Sequence, residues 1–503
     1  MAKSFNTFLF LVLLSLYSYY IIYFSFNFGQ AGHDTFQYIE FANQVFTDEP
    51  LILFYRVGLY SLIYIFNQIF GWEPYSLSIL YSVFVIITFI YFYLLAKIFL
   101  KSEILILFSY LLLFFNAQYL IFFQRNYTAI VEIACILGFI YHFYLLGDNK
   151  INLKKKYVNI NIFIAGFFVF FGTHVHEDKS IFFLSFIFVN YFLNKLISIK
   201  VFLTFFFLSF ATASYFGLID VFKNLLKTNN IMSDKFGSKS DVLQNIFFIL
   251  KDSANFFLGN FFLEFFLFLI IIEFFLKKKL KLNFINIYLI SLFLYILFLA
   301  LAFGNITLPI DNIGLTRVYA PTSVFIIIIF FYLFEKIYKE LGIFLRISIT
   351  TILCVFFFNK LYEFKEYIKP VNNSKFYSAY KYIKSQNINR NKYTIKVLQL
   401  PSFEHRYDRM WTKNFNTYGL SSKVYFGENS DNLNNYLVKN FQNLNYPLTN
   451  DEITEIYEEF DYIIFDEKKV NDQSFNEKKI IQDIKNTFGN IIIEKNLSIV
   501  RIR

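Results

Sequence analysis

Four short polar stretches interrupt long apolar runs in this chain, and their side chains are the ones able to do chemistry. They are Asp34 with its neighbours, Arg125 with Glu132 about two turns later, the run His174-Val-His-Glu-Asp-Lys179, and Arg317 with Tyr319. Ionisable groups at membrane depth are costly and default to functional candidates, although arginines near helix ends also snorkel to the interface with no further role. Asp34 follows the glycines Gly29 and Gly32 and opens an amphipathic segment. Phe36, Tyr38, Phe41, Ala42, Val45 and Phe46 form its apolar side, opposite Gln37, Glu40, Asn43 and Gln44. A carboxylate at the mouth of a membrane helix, followed by a helix suited to the interface, could act on a substrate beside a bilayer. The same Asp34, three residues before Gln37, also reads as a capping box that merely satisfies N–H groups at a helix start. His174, His176, Glu177 and Asp178 offer metal donors, but their spacing matches no established ligand signature, so a divalent metal stays open and no cofactor is certain.

Those residues must be positioned by membrane helices. Of 503 residues, 56% are hydrophobic and 23% aromatic, with mean hydropathy +0.47. Soluble domains do not carry repeated apolar runs near 20 residues, so the chain reads as an α-helical polytopic membrane protein. The net charge of +10 comes mostly from Lys and Arg in short loops between apolar runs. It reports topology and contact with membrane lipids, and calls for no nucleic-acid partner. Cys135 and Cys354 lie far apart inside apolar runs and read as small buried hydrophobes, with no disulfide framework or zinc pattern.

Lys3 before the first run, Phe8–Phe28, sets the N-terminus in the cytoplasm as a retained helix, not a cleaved leader. Further spans are expected over 75–96, 104–120, 128–146, 158–171, 181–193, 201–218, 256–275, 284–303, 318–333 and 343–358, about eleven transmembrane helices in all. Residues 51–70 are placed as a helix lying on the outer face, because a span there would turn Lys154-Lys-Lys156 outward. All four polar stretches then face outward, as does a long polar loop over 219–254. Residues 1–360 form the transmembrane domain, with an outer juxtamembrane loop over 29–74. Residues 361–503 alternate strand-like runs (393–400, 423–426, 462–465, 491–502) with helical ones, as expected of a small α/β extracytoplasmic domain. The whole is expected to be a multi-pass protein of the cell membrane.

These stretches resemble the GT-C superfamily of membrane glycosyltransferases over about residues 1–360. Gly32-His-Asp-Thr-Phe-Gln-Tyr-Ile-Glu-Phe-Ala42 is similar to its acidic juxtamembrane segment, and Tyr55-Arg-Val-Gly-Leu-Tyr60 with Phe70-Gly71 to its second juxtamembrane helix. Arg125-Asn-Tyr-Thr-Ala-Ile-Val-Glu132 resembles the start of the fourth helix, and Thr316-Arg-Val-Tyr-Ala-Pro321 the entry to a late span. The chain departs at His174–Lys179, where aminoarabinose and mannosyl transferases of this group often have Leu-Thr-Lys-Gly. The resemblance implies a sugar moved from a polyprenyl-phosphate donor to a lipid, glycan or protein acceptor at the outer leaflet. It implies Asp34 as catalytic base and Arg125, Lys179 and Arg317 as ligands of the donor phosphate, roles that suit a carboxylate and cations facing an anionic leaving group. Supporting positions are His33, Glu40, Glu132, His174, His176, Glu177, Asp178 and Tyr319. The absence of a P-loop, a dinucleotide fingerprint and a nucleophile elbow leaves nucleotide-driven chemistry without support. The alternatives are an outer-leaflet polysaccharide polymerase or ligase, which loop 219–254 keeps open, and a transporter, for which no internal repeat is found.

Overall fold

The computed structural model describes residues 2–28, 38, 42, 57–70, 74–124, 127–147, 155–176, 178–194, 197–215, 242–258, 284–302, 313–340 and 342–368. Beyond these it describes 382–383, 385–386, 396–400, 416–419, 449–451, 454, 458, 461–466, 475–488, 491–494 and 497–502. Two compact units result: Met1–Tyr23, Gln37–Trp72 and Ser76–Lys369 in one, and Phe24–Phe36, Glu73–Tyr75 and Pro370–Arg503 in the other.

Fourteen helices are described through residue 368: α1 Ala2–Phe28, α2 Val57–Phe70, α3 Pro74–Phe99, α4 Glu103–Phe114, α5 Ala117–Gln124, α6 Ala129–Gly147 and α7 Lys155–Val175, then α8 Lys179–Val189, α9 Ile199–Tyr215, α10 Val242–Leu258, α11 Phe284–Ala302, α12 Ile313–Ser323, α13 Ile326–Glu340 and α14 Ile343–Ile368. Among the described residues, seven helices are long and apolar enough to cross a membrane, and an eighth span forms if the bent pair α4–α5 is one. Shorter apolar helices at Lys179–Phe192, which ends in a π-helical turn, and at Ile199–Ser209 stand where two further spans were expected. Beyond residue 258, the expected span 256–275 lies outside the described residues.

The core runs along α6 and the span Val318–Lys336, where 89% of the residues are buried, against 12% in Arg346–Lys365. The first kind of helix packs on protein all round, while α14 turns Ile343, Phe344, Ile347, Val355 and Phe358 outward as a lipid-facing helix does. Gly138 on α6 lets α7 approach, since a Cβ there would collide with the ring of Phe168.

Three elements differ from expectation. The span over 104–120 is not straight: it bends by 40° at Phe115–Asn116. Asn116 Oδ1 accepts the Tyr119 N–H at 2.7 Å, an N-cap that starts a new helix inside the span. Residues 219–254 are not one loop, since Val242–Leu258 is helical. Asn245, Ile249 and Ser253 recur every four residues on its buried side, while Leu243 and Phe247 are exposed, a periodicity masked in sequence by Asn, Lys and Asp. The expected single strand over 491–502 is a pair, Ile491–Glu494 against Leu497–Arg501, interrupted at the polar Lys495-Asn496.

Helix α2 has 14 residues, about 21 Å at 1.5 Å per residue, short of a roughly 30 Å hydrocarbon core. Helix α14 continues through Ile368, past the boundary expected at 360.

In the second unit a five-stranded sheet has the order β2-β1-β3-β5-β4. Strands β1 (Lys396–Leu400), β2 (Asn416–Gly419) and β3 (Tyr462–Asp466) run parallel. Strand β5 (Leu497–Arg501) pairs antiparallel with β3 and with β4 (Ile491–Glu494). Consecutive residues are buried at Tyr462-Ile463 and Ser498-Ile499-Val500, as in a sheet covered on both faces, and helix α15, Phe475–Phe488, falls where one was expected. The strand-like run 423–426 lies outside the described residues, whereas β2 was not anticipated.

Candidate active site

Four helices bring polar groups to one place in the first unit. Helix α6 carries Glu132 in its first turn, where a carboxylate suits the helix dipole. Lys179 is the first residue of α8, and Asp178 precedes it in the short connection from α7. Tyr295 comes from α11, and α12 presents the carbonyl of Val318.

Lys179 is fully buried. Its Nζ donates to Asp178 Oδ2 at 2.8 Å and Oδ1 at 3.0 Å, to the Tyr295 hydroxyl at 3.0 Å and to Val318 O at 2.7 Å. Glu132 Oε2 lies 3.0 Å from the same nitrogen, as a charge contact without hydrogen-bond alignment. Glu132 Oε1 has no hydrogen-bond partner among the described residues. The Tyr295 hydroxyl also donates to Asp178 Oδ2 and lies 3.2 Å from Val318 O, and His176 Nδ1 faces Asp178 Oδ1. Burial by itself would raise the Asp178 carboxyl, but the charges of His176 and Lys179, with their hydrogen bonds, hold it well below the usual carboxylate range. The cluster therefore sets two carboxylates, those of Asp178 and Glu132, against the Lys179 ammonium, with the His176 ring on Asp178.

The α12 helix is itself unusual. Pro321 has no N–H, so the carbonyl four residues earlier, that of Arg317, loses its intrahelical donor. Nearby carbonyls are held from outside: Val318 O by Lys179, and Thr322 O by the Tyr288 hydroxyl. Tyr288 and Tyr295 stand two turns apart on α11, and this i, i+7 pair of tyrosines in a largely apolar helix is a signal the sequence does contain.

Of the expected site residues, the structure gathers Glu132, His176, Asp178 and Lys179. Tyr319 is buried and its hydroxyl donates to Asp252 Oδ2 on α10, a partner not anticipated from the sequence. His174 Nδ1 is 2.6 Å from Phe170 O in its own helix, and its Cβ would meet a Cβ at Gly58 at 3.0 Å, so α2 seats against it. Among the described residues no three His, Cys, Asp or Glu side chains gather as a metal site needs. His33, Asp34, Glu40, Arg125 and Glu177 lie outside the described residues, as does the side chain of Arg317, whose backbone is part of α12. After Asp34, Tyr38 and Ala42 are described, both helical and buried, with the Tyr38 ring 6.2 Å from that of Tyr60 on α2.

No family model matches the chain, and no curated protein matches it. Its fold, however, is similar to that of ArnT from Cupriavidus metallidurans. The apo crystal structure of ArnT matches with a TM-score of 0.56 at 8% identity, over 100% of this chain and 99% of that one. The structure of ArnT bound to undecaprenyl phosphate matches with a TM-score of 0.57 at 8% identity, over 98% of each chain.

Proposed function

We propose that this chain is a membrane glycosyltransferase that takes a sugar from a polyprenyl-phosphate donor and passes it to an acceptor at the outer leaflet. The observation that carries this is a fold shared along the whole chain with a protein solved with undecaprenyl phosphate bound. The buried charged cluster of Glu132, Asp178 and Lys179, drawn from α6, α8 and the connection before α8, supports it, because ionisable groups held inside a membrane domain mark functional sites.

In the proposed step the acceptor hydroxyl attacks the anomeric carbon, the bond from that carbon to the phosphate oxygen breaks, and polyprenyl phosphate leaves with the electron pair. Asp34 takes the acceptor proton. Arg125 and Arg317 hold the phosphate and offset its developing charge. Lys179 enters differently from the sequence expectation. Five acceptor atoms lie within 3.0 Å of its nitrogen, and three ammonium protons leave none for a phosphate in this arrangement.

Purified protein in detergent or vesicles, incubated with a panel of labelled polyprenyl-phosphate sugars, should consume one of them and release free polyprenyl phosphate. Consumption of none, with a range of lipid, glycan and protein acceptors, would remove the proposal. The proposed orientation, with the polar cluster and residues 361–503 outside, predicts that a cysteine at Ser430 reacts with an impermeant reagent in intact cells and one at Asn152 does not.

A further inference from the structure

We propose that Lys179 is a positioning residue that sets the first turns of α12, and through them the placement of Arg317. The inference rests on the reading of Arg317 as a ligand of the donor phosphate, and it assigns Lys179 a part that no phosphate contact requires.

The argument starts from the weakness of α12. Its Pro321 removes the donor that would tie Arg317 into the helix, and the helix gives way to a turn at Val324–Phe325 before α13 begins. A helix in which a backbone bond is missing needs its carbonyls held by neighbours if its start is to keep one position. Val318, the residue after Arg317, is the point where it is held. Its carbonyl receives Lys179 Nζ at 2.7 Å, within charged hydrogen-bond range, and the Tyr295 hydroxyl lies 3.2 Å away.

Lys179 is in turn fixed from other sides. Asp178 binds it with both oxygens, Glu132 reaches it from α6, and the Tyr295 hydroxyl from α11 touches both Lys179 and Asp178. A fully buried lysine with partners on three helices behaves as a rigid strut. The cation at the start of α8 therefore fixes the backbone one residue beyond Arg317. Displacement of a phosphate clamp by about 1 Å is enough to cost around a hundredfold in rate.

The test combines a double-mutant cycle with a measurement that needs no ligand. Binding of undecaprenyl phosphate to the full chain in detergent is measured for the wild type, Lys179→Met, Arg317→Ala and the double variant. Lys179→Met should weaken binding roughly tenfold, the scale of one charged hydrogen bond misplaced, and should add almost nothing once Arg317 is Ala. Full additivity would mean that Lys179 meets the phosphate directly, and would overturn the proposal. Tyr295→Phe keeps the charges and removes only the hydroxyl, so it serves if Lys179→Met does not fold. It should weaken binding about threefold with Arg317 present and not with Arg317→Ala.

In parallel, a nitroxide is placed at Thr316→Cys, and at Ser348→Cys on α14 as a control, with Cys354 replaced by Ser. Tyr295→Phe and Lys179→Met should loosen the label at 316 and leave that at 348 unchanged. An unchanged spectrum at 316 overturns the positioning role even if polyprenyl phosphate binds. A wild type that binds no polyprenyl phosphate removes the proposed function, while the label still decides whether Lys179 fixes α12.

Discussion

Helix α6 carries two polar clusters ten residues apart, and they are built on different principles. Around His142 everything is neutral and paired: Nδ1 is 2.7 Å from Asn161 Oδ1 on α7, and Nε2 is 2.9 Å from the Tyr91 hydroxyl on α3. An amide oxygen only accepts, so Nδ1 carries the proton and Nε2 of the neutral ring accepts from the tyrosine. Around Glu132 the groups are charged: Glu132 and Asp178 both lie against the Lys179 ammonium, and Glu132 Oε1 has no hydrogen-bond partner among the described residues. The first arrangement is glue between helices. The second keeps charge in a place where leaving it out would be less costly, which is the mark of a working site. Aromatic contacts do not distinguish them, since both lie among phenylalanines and tyrosines.

The comparison can be broken in several places. The largest effect is expected at the proposed base. Asp34→Asn should reduce transfer by roughly 10²–10⁴-fold, the range of general base catalysis, with folding nearly intact because Asn caps helices about as well as Asp. Turnover of labelled donor measures it, and near-wild-type turnover would leave Asp34 as a cap. Stability should separate the two clusters directly. Lys179→Met leaves buried carboxylates uncompensated and should cost about 3–5 kcal/mol in reversible unfolding, whereas Asn161→Leu, which only breaks neutral glue, should cost about 0.6–1.7 kcal/mol. Equal costs would erase the distinction.

A smaller effect sharpens the account of the phosphate. Arg317→Lys should weaken donor use by about 1–3 kcal/mol, because a point charge replaces a planar fork, and a donor titration at saturating acceptor should show it. A snorkelling arginine would tolerate lysine without loss. The smallest concerns Asp178. Its carboxyl is held below the usual range in the folded protein, so it contributes stability that is present above its unfolded value, near 3.9, and is lost as pH falls through the lower folded value. The melting temperature of the wild type should therefore exceed that of Asp178→Asn at pH 7, with the gap closing below about pH 4. A gap that is constant with pH would place the effect in packing.

Much of this was legible beforehand for physical reasons. Apolar runs near span length announce themselves, so the spans over 75–96, 128–146 and 284–303 fall on α3, α6 and α11. The run His174–Lys179 was conspicuous because charge is rare between such runs, and it does supply Lys179 and Asp178 to the cluster. What the ammonium would face was not legible. Tyr295 is one of 38 tyrosines in the chain, and the Val318 carbonyl has no side-chain signature at all. The break at Asn116 was hidden because one Asn in a long apolar run changes its mean hydropathy little, while its side chain can cap a helix. Helix α10 was obscured for the converse reason, its buried Asn245 and Ser253 reading as loop composition.

The central proposal is that a polyprenyl phosphate binds near the start of α6 and beside Arg317 on α12. A polyprenyl phosphate bearing a photoreactive group on its first isoprene unit, bound to the full chain and cross-linked, locates the phosphate end by peptide mapping. The account predicts adducts within 313–323 and near the start of α6, diminished by Arg317→Ala. Adducts that gather around His142 and Asn161, or that are unchanged by Arg317→Ala, would contradict it.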